Sequence, residues 1–252
     1  LITFDMNEQN KINIPSDERL IFAMDLPSVD QAVVMAERLG DSVKFYKLGL
    51  QLFMTGEYFQ LVEKLQRMEK KIFVDLKFFD IPETVKNAVM QLQKRGVTFA
   101  TVHGNDDIMR AAAEAKGNTK ILAVTVLTSL DKGDMQDLGF QADVEQIVLS
   151  RAKRALELGC DGVVSSGLEA RKLRAFSDSN VSLSKKLIIV TPGIRPGSNT
   201  AVVGDQKRVV TVRDAFEYGA DYIVVGRPIR NAENPRAAAE EIQRQIAEAL
   251  SK

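Results

Sequence analysis

The sequence is poor in the residues that metal and thiol chemistry most often uses. It holds one cysteine, Cys160, and one histidine, His103. A lone cysteine excludes a disulfide within the chain and a cysteine-based zinc site. A lone histidine excludes a metal held by two or more imidazoles, and a Ser-His-Asp triad would have to use His103 alone. An excess of either charge is also missing, because 34 basic side chains balance 34 acidic ones. A nucleic-acid surface needs a basic excess, so none is expected. Net charge says nothing about local fields, and a local anion site stays open. No apolar run reaches the roughly 20 residues that a membrane span needs. The polar stretch from Leu1 to Arg19 lacks the apolar core of a signal peptide. These absences leave a cytoplasmic chain as the expectation, with neither nucleic acid nor membrane as a partner. Because the chain opens on Leu1, residues 1–5 are a candidate non-native remnant and Met6 a candidate native start.

What is present is a large apolar share, 45% of 252 residues. That is ample for one core, and the length suits a single α/β barrel. Short β-type runs occur at Leu20–Met24, Val43–Leu48, Lys71–Leu76, Val97–Val102, Lys120–Leu127, Asp161–Val164, Lys186–Val190 and Asp221–Val225. Amphipathic segments lie between them, near 28–39, 56–69, 82–95, 106–116, 143–158, 167–176, 211–218 and 235–250. Ser28 is placed to cap the first of these and Gly40 to close it. Strand–helix alternation argues for a parallel sheet. Eight units predict closure into a (β/α)8 TIM barrel over residues 20–252, a single domain behind an N-terminal extension at 1–19. An open doubly wound sheet is the other arrangement the pattern allows. The connection Thr191–Arg208 is long and rich in Gly, Pro and polar residues. Such loops in compact domains are usually lids or binding loops, and this one would lie on the barrel's C-terminal face, where barrel active sites are found.

The third strand carries the chemistry. Side chains alternate between faces along a strand, so Phe73, Asp75 and Lys77 share one face while Ile72, Val74 and Leu76 share the other. The apolar face should meet the helices, which turns Asp75 and Lys77 into the barrel. On the first strand, Ile21, Ala23 and Asp25 share a face; on the second, Val43, Phe45 and Lys47 do. Three neighbouring strands therefore place alternating charge at one end of the barrel, where each lysine has carboxylates to keep it protonated. Asp80 follows three residues after Lys77. Blander roles remain for each residue alone. Asp75 and Lys77 can form a buried ion pair, Lys47 can be a solvated strand end, and Asp25 or Asp80 can cap a helix.

The run Asp75, Leu76, Lys77, Phe78, Phe79, Asp80, Ile81, Pro82, Glu83, Thr84 resembles the Asp-x-Lys-x-x-Asp signature of the orotidine 5′-monophosphate decarboxylase family, in its Ile-Pro-x-Thr form. The resemblance extends over nearly the whole chain. Ala23-Met24-Asp25, Tyr46-Lys47-Leu48-Gly49, Val124 to Ser129, Thr191 to Pro196, Gly204-Asp205-Gln206 and Val225-Gly226-Arg227-Pro228 all occur in the family's order. One departure is Phe79, where bacterial members often carry histidine.

The resemblance implies a fold, a reaction and a set of roles. It implies decarboxylation of orotidine 5′-monophosphate to uridine 5′-monophosphate in pyrimidine synthesis, without metal or cofactor. Lys77 matches the lysine that protonates C6 of the pyrimidine, and Asp75 the carboxylate beside the substrate carboxylate. Lys47 matches a lysine that orders the charged network and meets the ribose, and Asp25 a ribose-binding carboxylate. The resemblance further implies a homodimer in which Asp80 and Thr84 act from the partner subunit. Gln206, Gly226 and Arg227 match phosphate contacts, and Arg195 a ligand-binding arginine in the long loop. Thr128 and Ser129 fall where the pyrimidine's polar edge is met, and Ile81 and Pro192 belong to the same ligand-contacting set.

Local chemistry fits these roles without requiring them. A glycine such as Gly226 lets backbone approach a ligand, and Arg227 offers a planar donor fork suited to phosphate. Read singly, Arg227 can be a surface ion pair, Arg195 and Gln206 solvated loop residues, Thr128 and Ser129 loop caps, and Thr84 an early-helix threonine. His103 is expected to hydrogen-bond structurally and Cys160 to pack. The nearest rivals are a magnesium-dependent phosphosugar lyase of the keto-gulonate phosphate decarboxylase type, and a non-catalytic phosphate-binding barrel.

Overall fold

In a computed structural model, which describes residues 13–179, 186–197 and 209–251, the eight apolar runs become eight parallel strands. These are β1 Leu20–Ala23, β2 Phe45–Leu48, β3 Lys71–Phe78, β4 Phe99–His103, β5 Lys120–Val124, β6 Gly162–Val164, β7 Ile188–Thr191 and β8 Tyr222–Val225. Each pairs with its neighbour in sequence, and β1 pairs with both β2 and β8. The sheet is thus a closed barrel rather than an open doubly wound sheet. The helices are α1 Val29–Leu39, α2 Leu50–Phe53, α3 Tyr58–Arg67, α4 Pro82–Lys94, α5 Asp106–Ala115, α6 Lys132–Asp137, α7 Val144–Glu157, α8 Gly167–Ser179, α9 Val212–Glu217, α10 Arg227–Arg230 and α11 Pro235–Leu250. The Ser28 side chain accepts the Gln31 N–H at the start of α1, and Gly40 closes that helix with φ of 52°. That positive φ is where glycine avoids a Cβ penalty.

Strand alternation divides the core into two layers. Leu20, Phe22, Tyr46, Val74 and Val102 face outward and pack with the apolar stripes of the helices. Ile21, Phe45, Phe73, Phe99, Leu122, Tyr222 and Val224 fill the barrel. Phe99 packs against both Phe45, with ring centroids 4.9 Å apart, and Tyr222, at 5.1 Å. Each such buried ring is worth about 1.5–3 kcal/mol of transfer free energy. Ile14 joins this inner cluster, so the segment before β1 closes the barrel's N-terminal end. At that same end, half-buried carboxylates staple strand starts. Asp161 accepts the Ile121 N–H and the Lys116 ammonium, and Asp221 accepts the Ile189 N–H and the Arg174 guanidinium. The interior below the mouth is therefore a packed aromatic plug, and an open site can form only above it.

Three features depart from the sequence pattern. Val43 precedes β2 and packs in the outer layer, so it does not share the inner face of Phe45 and Lys47. The fifth apolar run leaves the sheet after Val124, and residues 126–128 turn over the barrel mouth instead. The short helices α2, α6 and α10 span 4, 6 and 4 residues. In α2 and α10 a single turn gives a 3.6-residue period too few repeats to register, and the six residues of α6 carry one buried apolar side chain, Met135. No described helix is long and apolar enough to cross a membrane.

Candidate active site

The charges expected at the strand ends do converge. Asp25 lies just past β1, Lys47 on β2, and Asp75 and Lys77 on β3. Asp25 Oδ1 is 3.6 Å from Lys47 Nζ, which is 3.4 Å from Asp75 Oδ2. Asp75 Oδ1 is in turn 3.0 Å from Lys77 Nζ. The result is a chain of alternating sign across three strands, with Phe73 forming the floor of the cavity above which it sits. Gly49 covers it, since a Cβ there would lie 3.7 Å from Lys47 Nζ and 3.8 Å from Asp25 Oδ1.

Burial and pairing compete at these groups, and pairing wins. Burial pushes the Asp75 carboxyl up, but the Lys47 and Lys77 charges, with hydrogen bonds from Lys77 and Thr101, hold it below the ordinary carboxylate range. Burial pushes the Lys47 ammonium down, yet Asp75 and Asp25 together hold it above the ordinary lysine range. Both stay charged at neutral pH, as a preorganised electrostatic site requires.

Lys77 reaches the cavity by an irregular route. Its φ is 50°, in the left-handed region, and the β3–β4 register shifts between Val74 and Phe78. A non-glycine residue held there costs about 1–3 kcal/mol, a strain that clusters at functional sites. Simple alternation put Lys77 on the correct side but could not show this bulge. The Lys77 N–H donates instead to Thr101 Oγ1, and the Thr101 hydroxyl donates to Asp75 Oδ1.

The cavity holds about 390 Å³, within the range of small-ligand sites. Of the residues expected there, Asp25, Lys47, Asp75 and Lys77 line one side. Thr128, Pro192 and Arg195 line the cavity from the segments after β5 and β7, and Gly226 and Arg227 from the end of β8, next to β1. Arg195 is held at the root of the long loop, where its N–H donates to the Val210 carbonyl. Gln206 lies outside the described residues. Ser129 is exposed and does not line the cavity. Asp80, Ile81 and Thr84 are also exposed and stand outside it. Asp80 is not the cap of α4. That position is held by Ile81, while Asp80 Oδ1 accepts the adjacent Ile81 N–H at 2.7 Å.

Two residues escaped the sequence reading. Arg230, one turn after Arg227, lines the cavity and donates to the Asp25 carbonyl. Its signal was its helical spacing from Arg227, hidden because α10 is too short to recognise. Thr101 lies on β4 two residues after the inward Phe99, so strand alternation places it on the same inner face. His103 stacks on Phe79, with centroids 4.5 Å apart, and among the described residues its side chain has no hydrogen-bond partner. Cys160 is fully buried, as expected of a packing residue. Among the described residues, no cluster of three or more His, Cys, Asp or Glu side chains is placed to hold a metal ion. Asp25 and Asp75 are instead engaged with Lys47.

A (β/α)8 barrel whose mouth joins a chain of alternating charges to several arginines defines a class of enzyme for small anionic substrates. The chain belongs to the "Orotidine 5'-phosphate decarboxylase / HUMPS family", whose family model matches residues 18–242. It is 62% identical over 233 residues to an orotidine 5'-phosphate decarboxylase of Methylococcus capsulatus, covering 92% of this chain and 93% of that one. It is 48% identical to the enzyme of that name from Stenotrophomonas maltophilia, covering 93% and 95%. Among solved structures, an orotidine 5'-phosphate decarboxylase from Lactobacillus acidophilus superposes with a TM-score of 0.77 at 36% identity, over 91% of this chain and 99% of the other.

Proposed function

We propose that this chain decarboxylates orotidine 5′-monophosphate to uridine 5′-monophosphate, a step of pyrimidine biosynthesis, with Lys77 as the proton donor. The observation that carries this reading is the Asp25–Lys47–Asp75–Lys77 chain at the mouth of the barrel. Breaking the C6–carboxylate bond releases CO2 and leaves an electron pair at C6, in the ring plane and poorly delocalised. A proton from Lys77 Nζ then forms the new C6–H bond, and the neutral amine regains its proton from solvent. Before that transfer the Lys77 charge stabilises the developing carbanion without having to reorganise. Asp75 beside the substrate carboxylate adds like-charge repulsion to the ground state, a smaller contribution. Arg227, Arg195 and Gln206 take the phosphate side, and Thr128 the polar edge of the base. Pro192 and Gly226 complete the walls, and Asp25 with Lys47 meets the ribose.

The same reading makes the working unit a homodimer. Asp80, Ile81 and Thr84 have no place in their own chain's cavity, and they stand among exposed apolar side chains. Phe79 and Ile81 after β3, and Leu50, Phe53 and Met54 after β2, are all exposed on the C-terminal side of adjacent strands. A second copy would cover this patch and bring its Asp80 and Thr84 to the first copy's mouth. Residues 20–252 form the catalytic domain, with the segment from Ile14 to Arg19 closing its base.

Loss of the ultraviolet absorbance of orotidine 5′-monophosphate tests the reaction, with the protein pretreated with a chelator. Turnover should persist after chelation, whereas a magnesium-dependent lyase would lose it. Lys77→Ala should nearly abolish turnover while leaving uridine 5′-monophosphate binding measurable. A variant that kept a tenth or more of wild-type kcat would remove Lys77 from the mechanism.

A further inference from the structure

We infer that Thr101 is a positioning residue for the reaction, its single hydroxyl locking the Asp75 carboxylate and the Lys77 backbone into one geometry before substrate binds. The inference rests on the assignment of Asp75 and Lys77 to the reacting centre.

Thr101 is 1% exposed, on the inner face of β4. A threonine hydroxyl has one proton to give and lone pairs to accept with. Both are used here, and the direction of each bond is fixed by its partner. Ionised Asp75 can only accept, so the hydroxyl proton points to Oδ1 at 2.9 Å. The Lys77 backbone N–H can only donate, so it is received by Thr101 Oγ1 at 3.0 Å.

The bulge explains why such a bridge is required. Val74 pairs with Ala100 and Phe78 with Val102, so four steps along β3 face two along β4. The ladder is interrupted over the residues that carry the chemistry, and Lys77 sits there at φ 50°. Without a substitute partner its N–H would be a partly buried donor left unpaired. Thr101 supplies the partner from the side chain that faces the gap.

The same hydroxyl fixes the carboxylate's rotation. Asp75 Oδ1 meets both Thr101 Oγ1 and Lys77 Nζ, which leaves Oδ2 facing Lys47. Remove the hydroxyl and the carboxylate can turn about its terminal torsion, which is broad and soft. The two lysines would then be held less sharply relative to each other. The charged or titratable groups around Asp75 are Lys47 from β2, Lys77 from β3 and Tyr58 from α3, with Asp25 beyond Lys47 and His103 further along β4.

Thr101→Val keeps the shape and deletes the hydroxyl. Steady-state kcat should fall about 10- to 100-fold, the range for a lost hydrogen bond to a charged group. Affinity for uridine 5′-monophosphate should change far less. The acid limb of the kcat–pH profile should move to higher pH, because Asp75 loses a donor that favours its ionised form. Thr101→Ser retains the hydroxyl and should restore both kcat and the acid limb. If Thr101→Val does not fold, Thr101→Ser against Thr101→Ala provides the same contrast. Wild-type kcat with an unmoved acid limb in Thr101→Val, or equal damage in the serine and hydroxyl-free variants, would overturn the inference. Lys77→Ala run in parallel separates the two levels. An active Lys77→Ala defeats the site assignment itself, whereas an inactive one beside a fully active Thr101→Val defeats only the positioning role.

Discussion

Lys47 links two carboxylates, and replacing it with methionine tests whether the charged chain acts as a unit. Lys47→Met keeps the length of the stem and deletes the ammonium between Asp25, 3.6 Å away, and Asp75, 3.4 Å away. At an effective dielectric of about 20, a unit pair at that separation is worth roughly 5 kcal/mol before desolvation is subtracted. Breaking one partner from a buried pair costs about 3–5 kcal/mol. Asp75 keeps Lys77, so the lower end, about 3 kcal/mol, is the expected loss of stability. For a domain of this size that lowers Tm by about 6–12 °C. If the same energy is lost from the transition state, kcat/KM falls by about 100-fold. The pH dependence has a definite sign. Lys47 helps to depress the Asp75 carboxyl, and a depressed carboxylate stabilises the fold above its unfolded pKa of about 3.9 and ceases to as pH falls through its folded value. Removing Lys47 raises that folded value, so the midpoint of acid unfolding should move to higher pH. Lys47 itself is raised, so its own contribution holds below about pH 10.4 and is lost only as pH rises through its folded pKa. Calorimetry across pH and the kcat/KM profile read these changes. An unchanged Tm together with an unmoved acid midpoint would refute the coupling.

Two further predictions concern reach across the site and between subunits. Arg195 and Arg227 line the same cavity as Lys77, so phosphate held by them would let remote binding energy be used at the ring; orotidine lacking phosphate should lose kcat as well as affinity, and a change in KM alone would make the phosphate grip a passive anchor. Lys77→Ala and Asp80→Ala chains should each be inactive alone, yet mixed dimers should restore roughly a quarter of wild-type activity, because half the dimers then hold one intact site in a two-fold assembly. Verified subunit exchange without recovered activity would reject the shared site.

The charged network was legible because strand alternation is a rigid rule. Once Val74 faces the helices, Phe73 and Asp75 must face the barrel, and the same parity places Lys47 beside them. Eight strand–helix repeats likewise left closure as the economical outcome. Other features obey no local period. Val43 fell outside β2, and residues 126–128 left the sheet, because where pairing stops depends on the neighbouring strand rather than on the run's own hydrophobicity. The exposed positions of Asp80, Ile81 and Thr84 depend on how the chain turns from β3 into α4.

The sequence by itself determined the parallel strands, the inward parity of Asp75 and the alternation of sign among Asp25, Lys47, Asp75 and Lys77. Each follows from residue spacing and the cost of burying an unpaired charge. Only the tertiary structure decided the bulge that puts Lys77 at φ 50°, the Thr101 hydroxyl that bridges it to Asp75, and the arrival of Arg230 beside Asp25. Thr101 is 26 residues from Asp75, and Arg230 is 205 from Asp25. Contacts across such separations are set by barrel closure and strand register, which no local pattern encodes.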